Sequence, residues 1–154
     1  MRLLRLNWFI VCLSAALSVF GFWSFAITLA PIPSPLLAES GTIASAETHH
    51  RKGRISIIRF IVIPSYREFS YPDILNNAQT VWDKIERGHS VEVQYTNPAK
   101  PELWGLRVSG EVLITPFEAY SARRKNGYWG LALGFVFFAS SLYMLFVEGR
   151  RHVA

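Results

Sequence analysis

The chain has 154 residues, of which 51% are hydrophobic and 18% are charged, and its formal net charge is +5. Its single cysteine, Cys12, excludes an internal disulfide and therefore the class of small disulfide-stapled domains. The basic balance does not indicate nucleic-acid binding, because residues 31–127 hold 12 Lys or Arg and 10 Asp or Glu, a net charge of only +2.

An apolar run without charged residues covers residues 8–30. At about 1.5 Å of helical rise per residue, it is long enough to cross about 30 Å of hydrocarbon, and it predicts a first transmembrane helix. A cleaved secretory signal is the alternative, because Arg2 and Arg5 precede the run. The length of the run and its end in the proline-rich segment 31–35 favour a retained span.

The basic residues predict the orientation of the chain. Arg2 and Arg5 flank the first span on one side, and no basic residue follows on the other side before Arg51. This asymmetry predicts that residues 1–7 are cytoplasmic. A second span over residues 128–147 returns the tail, residues 148–154 with Arg150 and Arg151, to the same side. Residues 31–127 are then expected outside the cytoplasm, on a bacterial inner membrane.

The segment between the spans is long enough for one domain and too short for two. Residues 31–46 are rich in Pro, Ser and Ala and predict an extended linker, with a short first strand over residues 41–43 as an option. Residues 54–63 are rich in β-branched side chains and predict the clearest strand. Apolar residues at helical spacing then predict an amphipathic helix over about 72–87, followed by Gly88 in a left-handed conformation.

Three more strands follow in the sequence. Residues 90–95 alternate strictly, so Val91, Val93 and Tyr95 are expected on one face. A turn at 97–101 leads to strands over 103–108 and 111–117, which Ser109 and Gly110 separate. The predicted fold class is α+β, with two transmembrane helices flanking a small β-rich domain that carries one amphipathic helix.

Residues 88–101 read G-x-x-V-x-V-x-Y-x-x-P-x-x-P, shortly before the C-terminal span. This pattern resembles a widespread group of small bacterial membrane proteins classed only as a domain of unknown function. The resemblance implies a β-rich domain held between two spans, and it implies no activity.

Small residues within the two spans predict a helix-packing face. Close packing of two backbones needs such residues, and glycines four apart are typical of it. The face is expected to pair the two spans with each other, to form a homodimer, or to bind another membrane protein. The residues are Ser14, Ser18, Gly21, Gly130, Gly134 and Ser141.

The basic cluster Arg123, Arg124 and Lys125 directly precedes the second span and predicts contact with lipid headgroups. The adjacent His49 and His50 and the distant His89 do not have the spacing of a metal site, and no cofactor is expected. The expected partners are the lipid bilayer and a membrane protein or a second copy of the chain, with no nucleic acid.

The leading functional hypothesis is a non-enzymatic scaffold, assembly factor or accessory subunit that acts through its extracytoplasmic domain and helix faces. The alternative is a membrane-associated enzyme, or a subunit of one, acting on lipid or envelope substrates. Arg123, Arg124, His89 and Glu92 are the candidate residues for that activity. A third hypothesis is a cleaved signal followed by a single C-terminal anchor.

Overall fold

A computed structural model describes the backbone of residues 2–85 and 87–151 and the side chains of residues 8–85 and 87–146. The chain forms two compact units, a helical unit of residues 1–30 and 124–154 and a domain of residues 31–123. The side chains of Arg2, Arg5, Arg150 and Arg151, on which the predicted orientation rests, lie outside the described residues, as does Glu86.

The domain is built on one six-stranded antiparallel sheet. The strands are β1 (Leu37–Arg51), β2 (Arg54–Ile63), β3 (Arg67–Pro72), β4 (Ser90–Thr96), β5 (Glu102–Val108) and β6 (Glu111–Ile114). Their order in the sheet is β3-β2-β1-β4-β5-β6. Strand β3 also approaches β5, although three strands separate them in the sheet, so the sheet curls around its core. The predicted α+β class is confirmed.

The core lies on the concave face of this sheet. Strand β2 matches the predicted strand over 54–63, and it buries alternate side chains because one face of the strand is packed. The expected face of β4 is confirmed, since Val91, Val93 and Tyr95 are all buried. The largest fully buried side chains are Tyr71, Phe60, Phe69, Ile43, Ile58, Leu103 and Leu106.

The linker predicted over residues 31–46 is wrong from Leu37 onward, because β1 begins there and is a central strand of the sheet. Its residues are mostly small or polar, so their own strand propensity is weak. Pairing with β2 on one side and β4 on the other supplies the hydrogen bonds. Gly41 permits this close approach, since a Cβ there would overlap the carbonyl oxygen of Ile63.

The predicted helix over 72–87 is shorter than expected and interrupted. Pro72 ends β3, a 3₁₀ turn covers Asp73–Leu75, and helix α2 covers only Ala78–Lys84. The break falls at Asn76 and Asn77, whose φ angles of 65° and 52° are left-handed. Asparagine tolerates that region better than most residues. The apolar residues Leu75, Val81 and Ile85 nevertheless enter the core.

Two long helices complete the chain, α1 (Arg2–Thr28) and α3 (Pro116–Arg151). Helix α3 begins well before the predicted span at residue 128, and strand β6 ends at Ile114 instead of residue 117. Residues Trp8–Thr28 and Pro116–Phe146 are long and apolar enough to cross a membrane by length and composition. In their most hydrophobic windows, only 17% and 11% of the residues are buried.

Candidate functional site

Four of the six residues of the predicted helix-packing face meet between α1 and α3. The Ser18 hydroxyl donates to the carbonyl oxygen of Gly134 at 2.9 Å. A Cβ on Gly21 would lie 2.7 Å from both the Gly130 carbonyl oxygen and the Gly134 nitrogen. Because backbone faces backbone here, only glycine fits at position 21.

The other two residues of that face are Ser14 and Ser141, and both are buried. Ser14 is 8% exposed and Ser141 is 6% exposed. The Ser141 hydroxyl bonds within its own helix, to the carbonyl oxygen of Phe137 at 2.9 Å. Ring contacts extend the packing, with Phe22 edge-on to Phe135 at a centroid distance of 5.2 Å. This contact between α1 and α3, called the helix seam below, is thus lined by small residues and bordered by aromatic ones.

The start of helix α3 explains the position of the basic cluster. Thr115 precedes the helix, and its hydroxyl accepts from the Glu118 backbone nitrogen at 3.2 Å. The Glu118 carboxylate accepts from the Thr115 backbone nitrogen at 2.8 Å, which completes a capping box before Pro116 at the first helical position. One turn further on, Ala119 and Ala122 are buried in the domain, and Arg123 lies on the same helix face.

Arg123 was expected to contact lipid headgroups, but its guanidinium is held by the domain. Nη2 donates to the Leu103 carbonyl oxygen at 2.8 Å, and the guanidinium carbon lies 4.0 Å from the centroid of the Trp104 ring. The side chain is only 15% exposed. Arg124 and Lys125 are exposed, so the structure separates the three basic residues that the sequence groups together.

Around Arg123 the hydrogen bonding is incomplete. Its Nη1 lies 3.2 Å from a carboxylate oxygen of Glu102, but the two groups are not aligned for a hydrogen bond. Within the described residues, Arg123 Nη1 and Trp104 Nε1 are the buried side-chain nitrogens without a hydrogen-bond partner. Buried donors normally have acceptors, so this pair stands out.

Arg123 also lines a cavity of about 500 Å³ within the domain. Its walls come from β2, the end of β3, and the turn between β4 and β5. The polar lining residues are Ser70, Thr96, Asn97, Lys100, Glu102 and Arg123. Two cations and one carboxylate therefore meet in a space large enough for a small ligand.

A second polar cluster joins three strands at the rim of the core. The Glu39 carboxylate on β1 accepts hydrogen bonds from Arg67 on β3 and from Ser65. The Tyr95 hydroxyl donates to the same carboxylate at 3.3 Å. Burial raises the pKa of the Tyr95 phenol, the Arg67 charge opposes that rise, and Glu39 reinforces it. Because Glu39 is ion-paired with Arg67, the cluster acts as a clamp between strands.

Sequence reasoning missed this clamp. Glu39 lies in the segment predicted as a linker, and Arg67 lies in β3, which was not predicted. The detectable signal was weak: an alternating segment from Arg67 to Tyr71 that holds the aromatic residues Phe69 and Tyr71.

Within the domain, three of the residues suggested for an enzyme contact different groups. His89 Nδ1 lies 3.3 Å from the Lys84 carbonyl oxygen, whereas Glu92 pairs with Arg107 at 3.0 Å. Arg123 is engaged by Glu102 and Leu103.

His49 and His50 lie on β1. His49 Nε2 is 3.4 Å from Glu47, and His50 is exposed beside it. Over residues 8–85 and 87–146, no three His, Cys, Asp or Glu side chains are grouped to hold a metal.

No protein-family model, no curated protein and no solved structure matches the chain. The resemblance carried by residues 88–101 therefore stays a prediction.

Proposed function

We propose that this chain is an integral membrane protein whose two apolar helices cross a bacterial inner membrane as a hairpin. The observation that carries the proposal is the exposure of large apolar side chains on both helices. Phe20 and Trp23 on α1 are 68% and 65% exposed, and Phe135 and Val136 on α3 are 58% and 63% exposed. Hydrocarbon removes the cost of exposing such side chains to water.

The domain is proposed to lie outside the cytoplasm with both chain termini inside. The support is the asymmetry of basic residues around the first span, with Arg2 and Arg5 before it and none after it until Arg51.

We further infer a non-enzymatic role as a scaffold, assembly factor or accessory subunit. The support is the way the domain uses its polar side chains. Three of the candidates for catalysis make separate structural contacts: His89 lies near the Lys84 carbonyl oxygen, Glu92 pairs with Arg107, and Arg123 contacts Leu103 and Glu102. The seam at Gly21 and Gly134 matches helix pairs that associate by backbone packing.

Membrane insertion and orientation are tested with cysteine accessibility. Because Cys12 is the only cysteine, Cys12→Ser gives a cysteine-free background in one step. In that background Lys52→Cys should react with a membrane-impermeant maleimide on intact cells, and Val153→Cys should react only after permeabilisation. Extraction of the chain by alkaline carbonate would reject membrane insertion. The reverse labelling pattern would reject the proposed orientation.

The accessory role is tested by purification in a mild detergent. The expected result is a partner that is recovered at a fixed stoichiometry. A monomer with hydrolytic or transferase activity would reject this role.

A further inference from the structure

Two cations line one cavity of the domain. Lys100 and Arg123 both border the space of about 500 Å³, together with the polar residues Ser70, Thr96 and Asn97. The only acid in this lining is Glu102, so the described lining carries a net charge of +1. A cavity with several hydrogen-bond donors and a net positive charge selects an oxyanion.

Lys100 presents its charge from a fixed turn. The Lys100 backbone nitrogen donates to the Asn97 carbonyl oxygen at 3.1 Å, and the Asn97 side chain accepts from the Ala99 nitrogen at 3.1 Å. The Lys100 side chain is exposed, and no ion pair is found for it among the described residues. Its ammonium group is therefore available to a ligand.

Arg123 is prepared for the same ligand. The bond from Nη2 to Leu103 and the stacking on Trp104 fix the plane of the guanidinium. Nη1 is buried and makes no hydrogen bond, and the nearest acidic group is the Glu102 carboxylate at 3.2 Å. A phosphate oxygen that displaces this carboxylate would give Nη1 a charge-assisted hydrogen bond.

We propose that this cavity binds a phosphate group, which displaces the Glu102 carboxylate from Arg123 Nη1 and contacts the Lys100 ammonium. Two sources share this chemistry: the headgroup of an anionic phospholipid and a soluble phosphate monoester. The proposal goes beyond membrane anchoring and does not depend on it, because a soluble ligand reaches the cavity without a bilayer.

The test uses the full chain purified in a neutral detergent. Inorganic phosphate and glycerol 3-phosphate are titrated, and binding is read from the indole N–H resonance of Trp104, assigned with a Trp104→Phe variant. In a parallel arm the chain is placed in nanodiscs of phosphatidylcholine with or without phosphatidylglycerol. A saturable shift of this resonance is expected with the soluble phosphates, with phosphatidylglycerol, or with both.

Two matched lysine variants distinguish phosphate binding in the cavity from nonspecific attraction to the positive charge of the chain. Lys100→Gln should weaken binding by about tenfold or more through loss of a charge-assisted contact. Lys52→Gln removes the same charge from an exposed turn that does not line the cavity, and it should bind as the unmodified chain does. Arg123→Gln should abolish binding. Because Arg123 also packs on Trp104, Lys100→Gln decides the matter if that variant misfolds.

The two arms identify the source of the phosphate. A response to glycerol 3-phosphate that Lys100→Gln weakens assigns a soluble ligand. A response confined to phosphatidylglycerol nanodiscs, and lost in Lys100→Gln, assigns a lipid headgroup. The proposal is overturned if no probe shifts the resonance, or if Lys52→Gln weakens binding as much as Lys100→Gln.

Discussion

Tyr71 makes the stability of the domain sensitive to alkaline pH. Its ring is fully buried, and its hydroxyl donates to the carbonyl oxygen of Asn76 at 2.7 Å and lies 3.3 Å from that of Leu75. Burial, and then the negative charge of Glu118, raise the pKa of this phenol from 10.0 to about 12. A phenolate here would lose its solvation and face two carbonyl oxygens with no proton to donate.

The size of the effect follows from proton linkage. Because the pKa in the folded state is raised, the stabilisation is fully present below pH 10 and is lost as the pH rises toward 12. Two pH units correspond to about 3 kcal/mol in total, and about half of this is lost by pH 11. A Tyr71→Phe variant lacks this loss. It should be less stable by about 1 kcal/mol at neutral pH, because one hydrogen bond is removed.

The two stability curves should therefore cross near pH 11. Urea unfolding of the full chain in detergent, measured from neutral pH upward, gives the free energy of unfolding for both proteins. Lysine and arginine titrations are common to both, so the difference isolates Tyr71. Tyr66→Phe is the matched control, since Tyr66 is 76% exposed and should give a constant difference near zero. A pH-independent difference between Tyr71→Phe and the unmodified chain would refute the linkage.

Three further substitutions test the packing. Gly21→Ala places a Cβ 2.7 Å from facing backbone atoms and should lower the free energy of unfolding, measured by titration in detergent, by about 1–3 kcal/mol. Its control is Ala15→Leu at an exposed position of α1, which should change the free energy of unfolding little. Glu39→Gln leaves Arg67 without its ion-pair partner and should lower the free energy of unfolding by about 3 kcal/mol. Its control is Glu92→Gln, which breaks an exposed ion pair and should lower the free energy of unfolding by less than about 1 kcal/mol. Thr115→Ala removes the helix cap and should cost about 1 kcal/mol, with an unchanged melting temperature counting against the capping box.

Elements with a strong local pattern could be predicted from the sequence. The strand Arg54–Ile63 and the alternation from Ser90 to Thr96 carry β-branched and aromatic residues on a packed face. The apolar runs within the two long helices, residues 8–28 and 128–146, also show directly in the sequence. In each of these elements, local preference and tertiary packing favour the same structure, so the pattern is sufficient.

Elements whose structure depends on neighbours could not be predicted in this way. Leu37–Arg51 has the composition of a linker, and it becomes a strand because β2 and β4 supply partners on both edges. The interrupted helix has a similar cause. The buried hydroxyl of Tyr71 bonds to the carbonyl oxygen of Asn76, where the left-handed backbone breaks the helical pattern.

The candidate site shows how Arg123 differs from its two basic neighbours in the sequence. Arg123, Arg124 and Lys125 are equally basic, but successive residues on a helix point about 100° apart. The threonine, proline and glutamate at 115, 116 and 118 form a capping signal that sets the start of α3. Counting from that start places Arg123 four residues after the buried Ala119, on the face toward the domain. The phase of the helix, set at its first turn, therefore decides which of the three cations joins the cavity.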